Sequence, residues 1–276
     1  MCVGLITAVT TPTLTHVIPS PGRHKVTAVT SLGDEVFVAR WKSQQVEVYD
    51  AVTLTLQRHL TVPALGTEGI AVCPINNCLY ASDWNKNSVH RVELSGSNAV
   101  KKWRVASRPA GLSVNSEHNL IVTSLEETKL QEYTMHGSLV REICLKADVI
   151  WPWHAIQLST GDYVVSQSTS PGVVSVVGVD GQVVRSCGPS QSSDVGQMKG
   201  PTSLAVTKND DILVADECIN RILSIKSSLG SVRELALSVD GGIQEPQGLC
   251  LDESRGRLYV GERRGECRVL VFDHVY

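Results

Sequence analysis

The chain has 276 residues, of which 42% are hydrophobic, and its formal net charge is −3. A chain of this composition can bury a sizeable core, which excludes an intrinsically disordered protein. It has no run of five like charges and no stretch of the roughly 18 to 20 apolar residues that cross a bilayer, so nothing indicates a DNA or membrane partner.

In chain order, the predicted elements follow one repeating unit. Residues 1–13 are predicted to form a leader, and LTHVI (Leu14–Ile18) is the first strand. The strongest β runs after it are VFVAR, LYASD, LIVTS, YVVSQ, ILVAD and LYVGE, starting at residues 36, 79, 120, 163, 212 and 258. These starts lie 43, 41, 43, 49 and 46 residues apart. A period of roughly 40 to 50 residues is typical of one four-stranded propeller blade.

Each strong run, called strand b, has an inner strand a before it and strands c and d after it. The inner strands are EGIAV, PAGLSV, PTSLAV and PQGLCL, with VTAV and PWHAIQ as looser copies. The sixth copy ends after strand c, so Leu14–Ile18 is predicted to supply its strand d. We therefore predict an all-β fold: residues 14–276 form one six-bladed β-propeller of four-stranded antiparallel blades, closed by an N-terminal strand that completes the last blade.

Acidic residues end several of the strong runs. Asp83, Asp216 and Glu262 occupy this position, and Asn87 and Asn220 follow four residues after the two aspartates. An aspartate can accept backbone N–H groups of a turn, and asparagine tolerates a left-handed backbone. Because the pattern recurs from copy to copy, we predict that it is structural and does not mark a reaction centre.

One copy resembles a known repeat. The string GPTSLAVTKNDDILVADECINRILSIKSSLG is similar to an NHL repeat, and LYASDWNKNSVHRVELSGSN resembles the related YWTD repeat, with Ala81 and Ser82 in place of its Trp and Thr. The resemblance covers nearly the whole chain. It implies a domain like the C-terminal substrate-recognition domain of tripartite-motif ubiquitin ligases, although propellers of this kind also include RNA binders and metalloenzymes.

Catalytic motifs are absent from the sequence. It contains neither Gly-x-Ser-x-Gly nor His-Glu-x-x-His, which mark hydrolases and zinc proteases. The inner strands offer only Glu68 and His154 as metal ligands, fewer than a metal site needs. The prediction is a protein without catalysis, metal or cofactor. A metal-dependent lactonase-like or lyase-like propeller stays as an alternative.

The loops on one face carry most of the tryptophans. In an antiparallel blade the b–c turns and the blade-to-blade d–a loops emerge on the same side, and Trp and Arg are enriched at protein interfaces. The predicted partner-binding residues are Arg40, Trp41, Lys42, Trp84, Lys86, Arg108, Trp151, Trp153, His154, Arg263 and Arg264. The alternative is that the tryptophans fill gaps between blades and that His154 is a hydrogen-bonded structural residue.

A protein or peptide is the favoured partner for this face. Single-stranded RNA is the alternative, because bases could stack on Trp41 or Trp84, but acidic residues outnumber basic ones in these loops. The loop Gly188–Gly200 is predicted to fold over a bound peptide. The eight cysteines are scattered, and some, such as Cys144 and Cys250, lie in apolar strands. They are predicted to be buried reduced thiols, which favours the cytoplasm.

Overall fold

The computed structural model describes residues 12–64, 66–146, 148–188 and 197–275. Its strands form six antiparallel sheets of four strands each, arranged as a six-bladed propeller. The first three blades follow the chain order a, b, c, d. Blade one is β2 (Val26–Leu32), β3 (Glu35–Arg40), β4 (Gln45–Asp50) and β5 (Leu56–Thr61). Blade two is β6 (Ile70–Cys73), β7 (Cys78–Asp83), β8 (Ser88–Glu93) and β9 (Val100–Arg104). Blade three is β10 (Pro109–Val114), β11 (Leu120–Ser124), β12 (Lys129–Tyr133) and β13 (Leu139–Cys144).

Blades four and five also follow the chain order, and blade six combines strands from both ends of the sequence. Blade four is β14 (Pro152–Gln157), β15 (Tyr163–Gln167), β16 (Val173–Val177) and β17 (Val183–Cys187). Blade five is β18 (Pro201–Val206), β19 (Ile212–Asp216), β20 (Arg221–Ile225) and β21 (Val232–Glu234). Blade six is β22 (Pro246–Asp252), β23 (Arg257–Glu262), β24 (Val269–Asp273) and β1 (Thr13–Ile18). Two single 3-10 turns, Trp84–Lys86 and Glu217–Ile219, join strands b and c in blades two and five.

The predicted ring closure is confirmed. Strand β1 pairs antiparallel with β24, with Ile18 opposite Val269. The strand starts at Thr13, one residue earlier than predicted. Two predicted segments lie outside the described residues. They are residues 1–11 of the leader and residues 189–196, which are most of the loop predicted to fold over a peptide.

The hydrophobic core is divided among the spaces between neighbouring blades. Among the described residues the buried side chains form six clusters, and each cluster takes its members from two adjacent blades. Between blades six and one, for example, Ile18 and Tyr259 pack with Val36 and Val38. The strand-b runs stand out in the sequence because their side chains are buried on both faces of the blade.

Small residues are required where the inner strands converge. A Cβ atom added to Gly69 would lie 2.4 Å from the carbonyl oxygen of Ala110, and one added to Gly111 would lie 2.5 Å from that of Trp153. Both contacts are with the backbone of the next blade, which has little freedom to move. A side chain larger than hydrogen therefore does not fit at these two positions.

In blades four, five and six, the residue that ends strand b holds the preceding loop of its own blade. The carboxylate of Asp216 accepts the N–H of Gly200 at 2.9 Å. Glu262 accepts the N–H of Gln244 at 3.0 Å, and Gln167 accepts that of Ile150 at 3.0 Å. Asn87 and Asn220 have positive φ angles, of 48° and 58°. The predicted structural role is confirmed for Asp216 and Glu262, whereas the buried carboxylate of Asp83 accepts no hydrogen bond from the described residues.

The cysteines of the described residues are free thiols, of which Cys73, Cys78, Cys187 and Cys267 are buried. The prediction of buried thiols is wrong for Cys144, whose side chain lies on the open side of outer strand β13, and for Cys218, which is also exposed, while Cys250 is half-buried. A cytoplasmic location stays a prediction. Within the described ranges, no helix has the length and apolar character needed to cross a membrane.

Candidate functional site

The b–c turns lie beside the loops that lead into the inner strands. In five blades the N–H of the first turn residue donates to a loop carbonyl at 2.9–3.2 Å: Trp41 to Lys25, Trp84 to Gly66, Ser168 to Trp151, Glu217 to Gly200 and Arg263 to Glu245. We call this side of the ring the loop face. It consists of the turns 41–44, 84–87, 125–128, 168–172, 217–220 and 263–268 and the described parts of the loops 19–25, 62–69, 105–108, 145–151, 188–200 and 235–245.

Three of the four predicted tryptophans lie in these turns and loops. Trp151 is the most exposed of them, at 56%, and Trp41 and Trp84 are half-buried. The guanidinium carbon of Arg108 lies 5.6 Å from the centre of the Trp84 ring, within the range of a cation–π contact. The fourth, Trp153, is half-buried on inner strand β14. The loop face therefore presents aromatic surface to solvent.

Most of the predicted basic residues are neutralised by acids. Nη1 of Arg108 lies 3.2 Å from Glu126, that of Arg263 lies 3.1 Å from Glu217, and that of Arg264 lies 2.8 Å from Glu245. Lys42 and Lys86 are exposed. Paired charges give a weak net field, so these arginines supply little general attraction for a polyanion.

Arg40 requires a correction to the predicted contact set. Its side chain is 3% exposed, and Nε donates to both carboxylate oxygens of Glu47, at 2.8 and 2.9 Å. Nη1 donates to the carbonyl oxygens of His24 at 3.0 Å and Cys267 at 2.9 Å. Arg40 ends strand b of blade one, the position at which blades four, five and six also place a residue that holds a loop. It is therefore a structural residue and does not reach the surface.

A cavity of about 260 Å³ lies on the propeller axis. Inner strands of all six blades line it, and most of the lining residues are small or apolar. Strand a starts at the loop face, so the residues at its start form the mouth of the cavity. Three long side chains lie there: Glu68 from blade two, Trp153 from blade four and Gln247 from blade six.

Glu68 and Gln247 meet at this mouth, although their blades are separated by blade one. Nε2 of Gln247 donates to Oε2 of Glu68 at 2.9 Å, and both residues are buried. Desolvation raises the pKa of Glu68 to about 7, against the opposing effects of nearby Arg263 and the Gln247 hydrogen bond. A carboxyl group in this environment changes its charge near neutral pH.

His154 connects the inner strands on either side of its own blade. Nδ1 accepts the N–H of Leu204 at 3.1 Å, and Nε2 lies 3.1 Å from the carbonyl oxygen of Leu112. This arrangement assigns the proton to Nε2, which donates to Leu112. Desolvation lowers the pKa of His154 to about 4. The predicted partner contact by His154 therefore finds no free ring nitrogen, and the histidine contributes to the assembly of the ring.

In the part of the chain that the structure describes, no group of three or more His, Cys, Asp or Glu side chains is placed to hold a metal ion. Sequence reasoning considered Glu68 only as a metal ligand, and it missed Gln247. The available signal was the position of Gln247 in the repeat. It is the second residue of its inner strand, where blades one, three and five carry the shorter Thr27, Ala110 and Thr202.

No protein-family model matches the chain, and no curated protein matches it. Solved structures share its fold. A streptogramin B lyase is 11% identical, with a TM-score of 0.69 over 94% of this chain and 96% of that one. Virginiamycin B lyase from Staphylococcus aureus is 11% identical, with a TM-score of 0.69 over 95% of this chain and 99% of that one. Hydrazine synthase from Kuenenia stuttgartiensis is 16% identical, with a TM-score of 0.67 over 97% and 98%.

The comparisons correct one prediction and leave another open. The prediction of a protein without catalysis is wrong, because similar structures include propellers named as lyases. At 11% identity the similarity shows the shared fold alone and assigns no reaction to this chain. The six-bladed propeller is confirmed, and the assignment to NHL repeats of the tripartite-motif type stays a prediction.

Proposed function

We propose that the chain binds a protein or peptide partner on the loop face, through Trp84 and Trp151. The observation that carries this proposal is the exposure of the tryptophans. A 56% exposed Trp151 and a half-open Trp84 ring beside Arg108 are costly to leave in water. A partner that covers the two indole rings removes this cost. For the same reason Trp and Arg side chains dominate interface energetics.

Two narrower versions of this function were predicted from the sequence. Substrate recognition for a ubiquitin ligase rests on the repeat resemblance alone. Single-stranded RNA binding has less support, because Arg108, Arg263 and Arg264 are paired with acids and phosphate recognition depends on unpaired cations. We therefore favour a protein or peptide.

The binding face is tested with the double variant Trp84→Ala/Trp151→Ala. Loss of two aromatic contacts should lower partner recovery in a quantitative pull-down by at least about thirtyfold, the effect of one interface hot spot of about 2 kcal/mol. The matched control is Ile75→Ala, which removes a 70% exposed side chain from an a–b turn on the opposite face. Partners retained equally by both variants would contradict the proposed face.

A second candidate function is proton transfer in the axial cavity. The observation that favours it is Glu68, whose pKa of about 7 suits a general acid or base. One structure with the same fold is an inactive variant of virginiamycin B lyase with quinupristin, 11% identical to this chain. We therefore choose quinupristin as the probe for a lyase-type reaction here.

The second candidate predicts that the wild-type chain converts quinupristin, detected as a new chromatographic peak, and that Glu68→Gln does not. This substitution keeps the size of the side chain and removes its titrating proton, so the loss should exceed about a hundredfold. Glu117→Gln, an exposed change in the a–b turn of blade three, is the control. No conversion by the wild type, or equal conversion by both variants, would exclude this activity.

A further inference from the structure

The mouth of the axial cavity holds a buried acceptor without a donor. Gln247 is 1% exposed, and its Oε1 has no hydrogen-bond partner although its Nε2 is bonded to Glu68. Buried polar atoms are nearly always hydrogen-bonded, so this oxygen is available to accept a hydrogen bond from a group inside the cavity. A ligand that satisfies it must present a hydrogen-bond donor.

Glu68 adds further acceptor capacity at the same place. It is 7% exposed, and its carboxylate takes one hydrogen bond from the described residues, the one from Gln247. A carboxylate has about four acceptor positions. A ligand carboxylate would therefore place acceptors against acceptors here, whereas a cation would compensate the buried charge.

The charged groups around Glu68 compensate its negative charge only in part. Arg263 and Lys25 lower its pKa, and Glu217 raises it. The guanidinium of Arg263 donates to Glu217 at 3.1 Å, so much of its charge is already paired. Lys25 lies in an exposed loop, where solvent screens its charge.

The cavity has the size and lining for a small organic cation. Its volume of about 260 Å³ corresponds to roughly eight water-sized groups. Trp153 lines the same cavity as Glu68 and Gln247, and an indole ring attracts a cation.

We propose that the axial cavity, which Trp153 also lines, binds a primary ammonium group held by the Glu68 carboxylate and the Gln247 carbonyl oxygen. An ammonium has three N–H donors and no acceptor, which matches these two groups. The chemistry of the cavity does not rest on the proposed loop-face function.

The test is calorimetric titration with butylammonium, which contains no partner and so separates this inference from the loop-face proposal. We expect saturable binding at pH 8 that weakens about tenfold at pH 6, because Glu68 with a pKa of about 7 is mostly protonated at the lower pH while the amine stays charged. Near pH 7, binding should release part of a proton, measured as a difference between buffers of unlike ionisation enthalpy.

Variants assign the binding to the two groups. Glu68→Gln should weaken binding at pH 8 by at least about tenfold and remove the dependence between pH 6 and 8. Gln247→Met should weaken it without removing that dependence, and Glu117→Gln should change neither. Butan-1-ol and butyrate should not bind. Absence of butylammonium binding at pH 8, tighter binding of butyrate, or full binding by a folded Glu68→Gln variant would overturn the proposal.

Discussion

Replacing Arg40 with methionine is expected to lower the free energy of unfolding by about 3–5 kcal/mol, because removing one partner leaves a buried charge uncompensated. That charge is on Glu47, which is 8% exposed and would keep the hydroxyl of Tyr49, at 2.9 Å, as a hydrogen-bond donor. The carbonyl oxygens of His24 and Cys267 lose a donor as well. The guanidinium joins the loop before blade one to the b–c turn of blade six, so the loss weakens the contact between the blades where the ring closes.

Urea unfolding followed by tryptophan fluorescence measures this loss. Lys42→Met is the matched control, since it removes a cation two residues away from an exposed position and should change stability by no more than about 0.5 kcal/mol. Arg40→Lys should fall between the two, because lysine keeps the charge and lacks the planar fork. An Arg40→Met protein as stable as Lys42→Met would contradict the buried pairing.

Truncating Ile18 to alanine is expected to lower the free energy of unfolding by about 2–5 kcal/mol, the usual range for a buried isoleucine. Ile18 is 2% exposed and belongs to the cluster between blades six and one. The neighbouring change Val17→Ala serves as the control. Val17 points to the other side of the same strand and is 40% exposed, so its truncation should cost less than about 1 kcal/mol.

The contrast between the two variants tests whether β1 is part of the folded ring. Thermal unfolding of both proteins under the same conditions gives the comparison. If the strand were not docked on β24, the two truncations would have equally small effects. We expect the Val17→Ala protein to be clearly more stable than the Ile18→Ala protein, because side chains alternate between core and solvent along a paired strand.

The fold was predictable because it is repeated six times. Each strand-b run is buried on both faces and therefore appears as an unbroken apolar segment, such as ILVAD at Ile212–Asp216. The incomplete sixth copy also predicted the role of the N-terminal strand. The exposed position of Cys144 was harder to predict, because an outer strand has one open side that its short apolar run does not reveal.

The site was predictable only in part. The loop positions of Trp41, Trp84 and Trp151 followed from the antiparallel order of the strands. The burial of Arg40 did not, because an arginine at the end of a strand looks the same whether its acid partner is inside or outside. The contact between Glu68 and Gln247 joins residues 179 positions apart, and only the circular arrangement of the blades brings them together.

The pairing of β1 with β24 gives the propeller a seam. Blades one to five are each continuous in the chain, but blade six is held to its fourth strand by hydrogen bonds and packing alone. Strain or heat can therefore separate β1 from β24 without stretching a covalent connection. Between the other blades, a connecting loop of the chain would have to stretch for the ring to open. Backbone amides along this joint should be among the first in the β framework to exchange their hydrogens with solvent.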